Sequence, residues 1–310
     1  MKNKRKGDET MDQNTEKILR KLPDFMQRNM KELSHQILDS FEEIRIKTYQ
    51  DTLVISHGKE YSLRDGDSIT PEVLEETLNR LMDYSYYAYE EELAKGYITI
   101  EGGHRVGICG RVTLNEDKVH LIKDVSSLNI RRSRQIIGAS DKIIKSVYKG
   151  DIKNTLIISP PKCGKTTILR DLARTLSNRG CRVGICDERS EIAGCYNGES
   201  SYDLGSRTDI LDGCPKAEGI IMLIRAMAPD VIITDEIGRK EDVSAIQSAL
   251  CAGVKIVTTI HGNSYEDVAN SAIGELIENQ IFETLIFLSA TPQTGTVKKI
   301  MMLSGMKKGA

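Results

Sequence analysis

Three absences restrict what this chain of 310 residues can be. It has no run of about 18 apolar residues, so the sequence predicts no transmembrane helix. Neither sign of charge dominates, since 43 Lys and Arg stand against 45 Asp and Glu, and this argues against nucleic-acid binding driven by overall charge. The seven cysteines include no C-x-x-C pair, which favours free thiols in a reducing compartment over a zinc site or disulfides.

The order of apolar and polar residues indicates two domains. With 39% hydrophobic residues the chain can form packed cores, and its length corresponds to about two domains. Residues 1–17 carry charge but no apolar segment, and we expect a frayed tail rather than a signal peptide. Residues 1–125 mix helical and alternating patterns, which predicts a small α+β domain. A linker is expected over 126–139, followed over 140–310 by strand–helix alternation that predicts a mostly parallel α/β sheet, with a long polar loop at 195–215.

The strongest motif is SPPKCGKTT at residues 159–167, between a predicted strand and a predicted helix. It matches the phosphate-loop pattern G-x-x-x-x-G-K-[ST] except that Ser159 replaces the first glycine. Because the two following prolines have no amide hydrogen, the phosphates must be held by later amides. Lys165 is expected to reach the β- and γ-phosphates and Thr166 to bind Mg²⁺. The predicted cofactor-binding amides belong to Lys162, Cys163, Gly164, Lys165, Thr166 and Thr167.

A second motif, PDVIITDE, is an apolar strand that ends in two carboxylates. Such an ending is by itself commonly a solvated turn. Because the carboxyl ends of parallel strands meet at one edge of a sheet, we expect Asp235 and Glu236 to lie beside the phosphate loop. Asp235 would hold Mg²⁺ through a water molecule, and Glu236 would orient and deprotonate the attacking water.

Two further polar segments follow predicted strands. Residues 187–191 (DERSE) come after one strand, and Glu188 is a candidate to assist Glu236. His261 follows another strand and could sense the γ-phosphate, although a lone histidine is more often a plain polar residue.

Together these motifs resemble the secretion-type ATPases that drive type II and type IV secretion and pilus retraction, and among them a sporulation branch. The acidic box of that family is matched in spacing by Asp187, Glu188 and Glu191, with Arg189 at its proline position. Its Walker B glutamate corresponds to Glu236, preceded here by Asp235 rather than glycine. Its histidine box is matched at Gly253, Thr258, Thr259, His261 and Asn263, whereas its first histidine is Val254.

The resemblance implies a RecA-like ATPase domain that uses ATP and Mg²⁺ and assembles as a homo-hexamer. In such relatives, basic residues of the linker or N-terminal domain reach the phosphates. Candidates are Arg105, Arg111, Arg131 and Arg132, with Arg131 preferred. The implied partners are membrane channel proteins of a sporulation complex between mother cell and forespore. The protein would then be cytoplasmic and attached to the membrane only through these partners.

Two other functions remain open from the sequence. A nucleic-acid-binding ATPase would need a basic segment, and the only candidates are the short KNKRK at 2–6 and the lysines at 307 and 308. A nucleotide-gated scaffold would bind ATP without turning it over. DNA- or RNA-stimulated hydrolysis with a steep salt dependence would indicate the first, and assembly that survives Glu236→Gln the second.

Overall fold

A computed structural model describes residues 13–115 and 118–303. The chain divides into two compact units, with the division between Ser133 and Arg134. Most of the expected tail lies outside the described residues, but its last part, from Gln13, is helical. Within the described residues, no helix combines the length and apolarity needed to cross a membrane.

The first unit is an antiparallel sheet with short helices. Its elements are α1 (Gln13–Lys21), α2 (Asp24–Lys31), α3 (His35–Ser40), β1 (Phe41–Lys47), β2 (Gln50–Ser56), β3 (Lys59–Ser62), α4 (Pro71–Leu81), α5 (Glu90–Ala94), β4 (Tyr97–Ile100), β5 (His104–Asn115) and β6 (Lys118–Arg131). The strand order is β3-β2-β1-β6-β5-β4, with every neighbouring pair antiparallel. Helix α4 starts as its sequence predicts, since Thr70 caps it and Pro71 occupies its first position.

The linker expected at 126–139 was predicted to start too early in the sequence, because its first residues belong to a strand. Residues 126–131 instead complete strand β6, which pairs with β1 on one side and β5 on the other. Leu128 and Ile130 are buried within this segment, and the alternation of buried and exposed residues is that of a strand. The polar residues between them hid this pattern in the sequence.

The second unit contains a larger, mostly parallel sheet, as expected. Its elements are α6 (Ile144–Val147), β7 (Thr155–Ser159), α7 (Lys165–Asn178), β8 (Val183–Asp187), β9 (Cys195–Tyr196), β10 (Glu199–Ser200), β11 (Thr208–Asp212), α8 (Lys216–Met227), β12 (Val231–Thr234), α9 (Lys240–Cys251), β13 (Lys255–His261), α10 (Tyr265–Ala269), α11 (Gly274–Glu278), β14 (Thr284–Ser289) and β15 (Thr296–Met302). The order is β11-β8-β12-β13-β7-β14-β15, and only the β14–β15 pair is antiparallel.

Apolar side chains cover both faces of this sheet. Ile157, Ile233 and Val257 point to the face covered by α7, while Leu156 and Ile232 join the core under α8 and α9. Burial on both faces explains why these strands read as continuous apolar runs. The sheet thereby brings the carboxyl ends of β7, β8, β12 and β13 to a single edge.

The expected long loop at 195–215 is not all loop. It contains the β9–β10 hairpin and β11, which extends the parallel sheet beside β8 with Asp212 opposite Asp187. The sequence TDILD carries two acidic residues because β11 is an edge strand and is only half-buried. The Gly- and Asp-rich flanks therefore concealed a strand that determines where α8 begins.

Candidate active site

Five segments meet at the carboxyl edge of the large sheet and enclose a cleft of about 650 Å³. They are the loop between β7 and α7, the residues that follow β8, β11 and β12, and the last part of β13, and Thr294 from the loop between β14 and β15 adds a sixth contact. The cleft is lined by Pro161, Lys162, Cys163, Gly164, Lys165, Thr166, Thr167, Glu188, Arg189, Glu191, Lys216, Asp235, Glu236, Gly238, Arg239, Asp242, Thr259, His261 and Thr294.

The loop before α7 has the backbone geometry that a phosphate cradle needs. Gly164 adopts the left-handed conformation with φ of 83° directly before the helix, and Lys162 has φ of 61°. The first amide hydrogens of α7 have no acceptor within the helix, so they are free to face an anion. The loop is braced from outside because the Gly295 amide donates to the Cys163 carbonyl over 3.1 Å.

The Lys165 side chain folds back along its own loop. Its ammonium donates to the carbonyls of Ser159 and Pro160 over 3.3 and 3.2 Å, and to Nδ1 of His261 over 2.9 Å. Burial lowers the pKa of Lys165 despite the attraction of Glu236. An incoming phosphate would offer this ammonium a charged acceptor in place of neutral carbonyls.

His261 connects this lysine to the carboxylate at the end of β12. With Nδ1 accepting from Lys165, the ring proton of neutral His261 lies on Nε2, which is 2.8 Å from Oε2 of Glu236. The side chains of His261 and Glu236 are 42% and 48% exposed, so both face the open cleft. The three side chains therefore form one continuous hydrogen-bonded row.

The other carboxylates at this edge share a buried lysine. The Lys216 ammonium, at the start of α8, lies 2.8 Å from Oε2 of Glu188 and 3.0 Å from Oδ1 of Asp235. Burial raises the pKa of Asp235, and Lys216 opposes that shift. Burial is also the largest single influence on Glu188 and raises its pKa, but the hydrogen bond and charge of Lys216, together with the charges of Arg239 and Arg189, lower the pKa of that carboxyl on balance.

Asp187 belongs to the same edge but serves the backbone. It is fully buried at the end of β8, and its carboxylate accepts amide hydrogens from Glu191, Ile192 and Ala193 over 2.8 to 2.9 Å. Burial raises its pKa to about 6 although these bonds act in the opposite direction. Asp187 thus shapes the turn that presents Glu188 and does not line the cleft.

A second buried side chain fixes the same turn from the helix side. Arg170 of α7 is 4% exposed and donates to the carbonyls of Glu191, Ile192 and Arg134 over 2.7 Å each. Its guanidinium also lies 3.7 Å from the ring centre of Tyr202. The phosphate-loop helix and the turn after β8 are therefore joined by one rigid contact.

The structure brings most of the residues predicted from sequence into one cleft. The amide residues 162–167 line it together with Glu188, Asp235, Glu236 and His261. Oxygen donors fit Mg²⁺, and the cleft offers the Thr166 hydroxyl and the Asp235 carboxylate, so its residues fit a metal held partly by phosphate oxygens.

The four candidate arginines belong to the first unit, and the contacts described for them lie within that unit. Arg105 stacks on Tyr97, Arg111 lies 2.8 Å from Asp124, Arg131 is 3.9 Å from Glu43, and Arg132 donates to the carbonyl of Asp39 over 2.8 Å. Their expected role toward a phosphate remains a prediction.

Sequence reasoning missed Lys216, and it gave no role in the cleft to Arg189 or Arg239. Lys216 follows β11, a strand whose sequence resembles a loop, so nothing placed it at the carboxyl edge. Recognising the alternation in TDILD would have supplied that signal. Arg239 precedes α9 in a turn where Asp242 accepts its amide hydrogen over 2.9 Å.

Solved structures establish the class of fold. The chain is similar to the Legionella pneumophila ATPase DotB, with a TM-score of 0.56 and 16% identity over 86% of this chain and 76% of that one. It is equally similar to the pilus retraction motor PilT with bound ADP, with a TM-score of 0.56 and 16% identity over 80% and 74% of the two chains. The fold is thus RecA-like and preceded by a smaller α+β unit, which confirms the predicted fold class.

Sequence comparison establishes the family. The model of the family "Sporulation stage III, protein AA" matches residues 12–307, and the chain belongs to this family. It is 43% identical to the stage III sporulation protein AA of Bacillus subtilis (strain 168), over 90% of this chain and 92% of that protein. The resemblance drawn from the motifs is therefore confirmed.

Proposed function

We propose that this protein is a Mg²⁺-dependent ATPase of the secretion type. The observation that carries the proposal is the meeting, in one cleft, of the loop around Gly164 with Lys165 and the carboxylates Asp235 and Glu236. A cradle of amides and an ammonium suits a triphosphate, and carboxylates beside it suit a metal and an attacking water.

Each residue has a definable task in this proposal. The amides of residues 162–167 and the Lys165 ammonium bind and orient the phosphates, while Thr166 and Asp235 would hold Mg²⁺. When bound, the ion would supply positive charge to the phosphate oxygens. Glu236 orients the attacking water and accepts its proton, and His261 holds Glu236 and Lys165 in place until nucleotide enters.

At the level of the cell, the proposal is that hydrolysis energises a sporulation channel between mother cell and forespore. Family membership supports the sporulation context, and the shared fold supports a motor that works as a homo-hexamer. The protein would act on the cytoplasmic side and reach the membrane through channel proteins. An arginine of the N-terminal unit or of a neighbouring subunit, with Arg131 preferred, would complete the site.

The test is ATP hydrolysis by the purified protein with Mg²⁺ or with EDTA, alone and with its membrane partner. We expect Lys165→Ala to lower the Mg²⁺-dependent rate by about a hundredfold or more, since an electrostatic contact to the reacting phosphate is lost. Lys145→Ala, on an exposed position of α6, should leave the rate unchanged. Wild-type hydrolysis no faster than that of Lys165→Ala would contradict the proposal.

Glu236→Gln separates hydrolysis from binding. We expect it to retain nucleotide binding and lose turnover, because the amide can accept a hydrogen bond from water but cannot take its proton. Spores formed normally by a strain carrying Glu236→Gln would favour a nucleotide-gated scaffold instead.

A further inference from the structure

Lys216 is a cation built into the cleft, at the first position of α8. Its side chain is only 11% exposed, and the side chains of Glu188 and Asp235 are 24% and 12% exposed. The lysine reaches this position because β11 runs parallel to β8 and ends beside Asp187, so that α8 begins at the carboxyl edge.

The lysine links two carboxylates that come from different strands. Glu188 follows β8 and Asp235 follows β12, which are neighbours in the sheet. Two carboxylates held this close would repel each other in a poorly hydrated site, and a buried ammonium is itself costly unless it is paired. The ammonium donates a hydrogen bond to Glu188 over 2.8 Å and forms an ion pair with Oδ1 of Asp235 over 3.0 Å, so it offsets the charge of both carboxylates.

Carboxylate oxygens such as those of Glu188 and Asp235 are also the ligands that a divalent cation prefers. Oδ1 of Asp235 faces the Lys216 ammonium, so a metal ion near that carboxylate would meet a fixed positive charge. Like charges repel strongly at such short separations in a poorly hydrated site, so the ammonium lowers the affinity of this carboxylate for a metal ion.

We propose that Lys216 is a positioning residue that acts as a built-in counter-ion for Asp235 and Glu188. Its ammonium fixes the two carboxylates before nucleotide arrives and keeps the pair from binding a divalent cation on its own. The metal then enters with the nucleotide, whose phosphates supply the missing negative charge. The inference rests on the proposed function for the identity of the ligand, Mg²⁺ with ATP.

The experiment titrates the full-length protein with Mn²⁺ in the absence of nucleotide, read by electron paramagnetic resonance. We expect Lys216→Met to bind Mn²⁺ at least about tenfold more tightly than wild type, because one positive charge has left the carboxylate pair. Lys216→Arg keeps the charge and should stay within about threefold of wild type. An affinity for Lys216→Met equal to or below that of wild type would overturn the proposal.

The chain offers a matched control at the opposite edge of the sheet. Lys255, at the start of β13, also pairs with a carboxylate, 3.1 Å from Oε2 of Glu283, and is 28% exposed. Lys255→Met should leave Mn²⁺ affinity unchanged. The same gain in this variant and in Lys216→Met would show a general effect of lost charge and overturn the proposal.

A charge-balanced double variant keeps the test valid if Lys216→Met does not fold. Lys216→Met with Glu188→Gln removes one cation and one anion, and we expect it to fold and to bind Mn²⁺ within about threefold of wild type. If the double variant bound Mn²⁺ at least about tenfold more tightly than wild type, the result would contradict a counter-ion role.

Metal titration and ATP hydrolysis test the two proposals separately. If wild type hydrolyses no ATP and Lys216→Met still gains Mn²⁺ affinity, the ATPase proposal fails and the counter-ion proposal stands. If wild type hydrolyses ATP and the Mn²⁺ affinities of wild type and Lys216→Met do not differ, the ATPase proposal stands and the counter-ion proposal fails. A positioning role further predicts that Lys216→Met lowers kcat more than it raises the KM for ATP, and that Lys216→Arg recovers much of kcat.

Discussion

Nε2 of His261 lies 2.8 Å from Oε2 of Glu236, so the end of β13 holds the carboxylate that follows β12. The other ring nitrogen of His261 accepts a hydrogen bond from Lys165 over 2.9 Å. The row keeps the phosphate-binding lysine and the proposed base in contact through a single ring. Binding of a phosphate by Lys165 must therefore alter the hydrogen bond that reaches Glu236.

We expect His261→Gln to lower the rate of ATP hydrolysis by about tenfold or more while nucleotide affinity changes by less than about threefold. The glutamine amide cannot bridge both partners with the imidazole geometry, so Glu236 loses its orientation, whereas the amide cradle is untouched. Rates at saturating ATP and binding of a fluorescent ADP measure the two effects. His35→Gln, at an exposed position of α3, is the control and should change neither measurement. If His261→Gln weakened ADP binding as much as it lowered the hydrolysis rate, the result would contradict a role in orienting Glu236.

Arg170→Met should destabilise the protein by about 3 kcal/mol or more. The variant loses the donor of three hydrogen bonds and leaves the carbonyls of Glu191, Ile192 and Arg134 without it. Urea unfolding followed by circular dichroism measures the change.

The control for Arg170 comes from the end of the same helix. Arg179 is exposed and lies 5.7 Å from the ring centre of Tyr148, so Arg179→Met should cost less than about 0.5 kcal/mol. Similar losses for the two variants would show that the three carbonyl contacts do not stabilise the turn after β8.

The hydrophobic pattern of the sequence predicted those strands in which every residue is buried. Strands β7 and β12 are buried along their whole length, and their apolar runs predicted them directly. Strand β11 lies at an edge with half-buried residues, and its two aspartates resemble those of a loop. Strand β6 was hidden for a similar reason, because polar side chains alternate with Leu128 and Ile130.

The candidate site was predictable to the extent that its residues follow strands in the sequence. The phosphate loop and Asp235 with Glu236 follow β7 and β12 directly, and the parallel order of the sheet brings them together. Lys216 could not be placed in this way, since its position depends on the pairing of β11 with β8. The three contacts of Arg170 also depend on tertiary packing that no local pattern encodes.

Asp187 makes the stability of the protein depend on pH in a defined direction. Burial raises its folded pKa to about 6 from the usual 3.8, so the folded state holds the proton more tightly than the unfolded state. The stability gained from protonation is present in full below about pH 4 and is lost as the pH rises through about 6. Relative to Asp187→Asn, wild type should lose about 3 kcal/mol between about pH 4 and pH 7, measured by urea unfolding.

Asp267 provides a control of the opposite sign. The Asn263 amide donates to its carboxylate and lowers its pKa, so its contribution is present above the usual pKa and is lost as the pH falls. Wild type should therefore gain stability relative to Asp267→Asn as the pH rises. Identical pH trends for the two aspartate variants would contradict the assignment of Asp187.

Gly164→Ala should abolish most nucleotide binding, because the residue is both left-handed and crowded. A Cβ atom there would lie 3.2 Å from Cγ2 of Thr294 and 3.4 Å from the amide nitrogen of Gly295. The neighbouring loop would have to move, and the bond from the Gly295 amide that braces the phosphate loop would be disturbed. Fluorescent ADP binding should weaken by about tenfold or more.

Gly180 separates crowding from backbone strain, since it has φ of +92° beyond the end of α7 and open space where its Cβ would be. Gly180→Ala should lose about 1–2 kcal/mol of unfolding free energy, because it forces alanine into the left-handed region, and Gly164→Ala should lose at least as much. Only Gly164→Ala should weaken ADP binding. Equal weakening in both variants would mean that nucleotide affinity follows global stability, and the close fit between the phosphate loop and Thr294 would then have no part in binding.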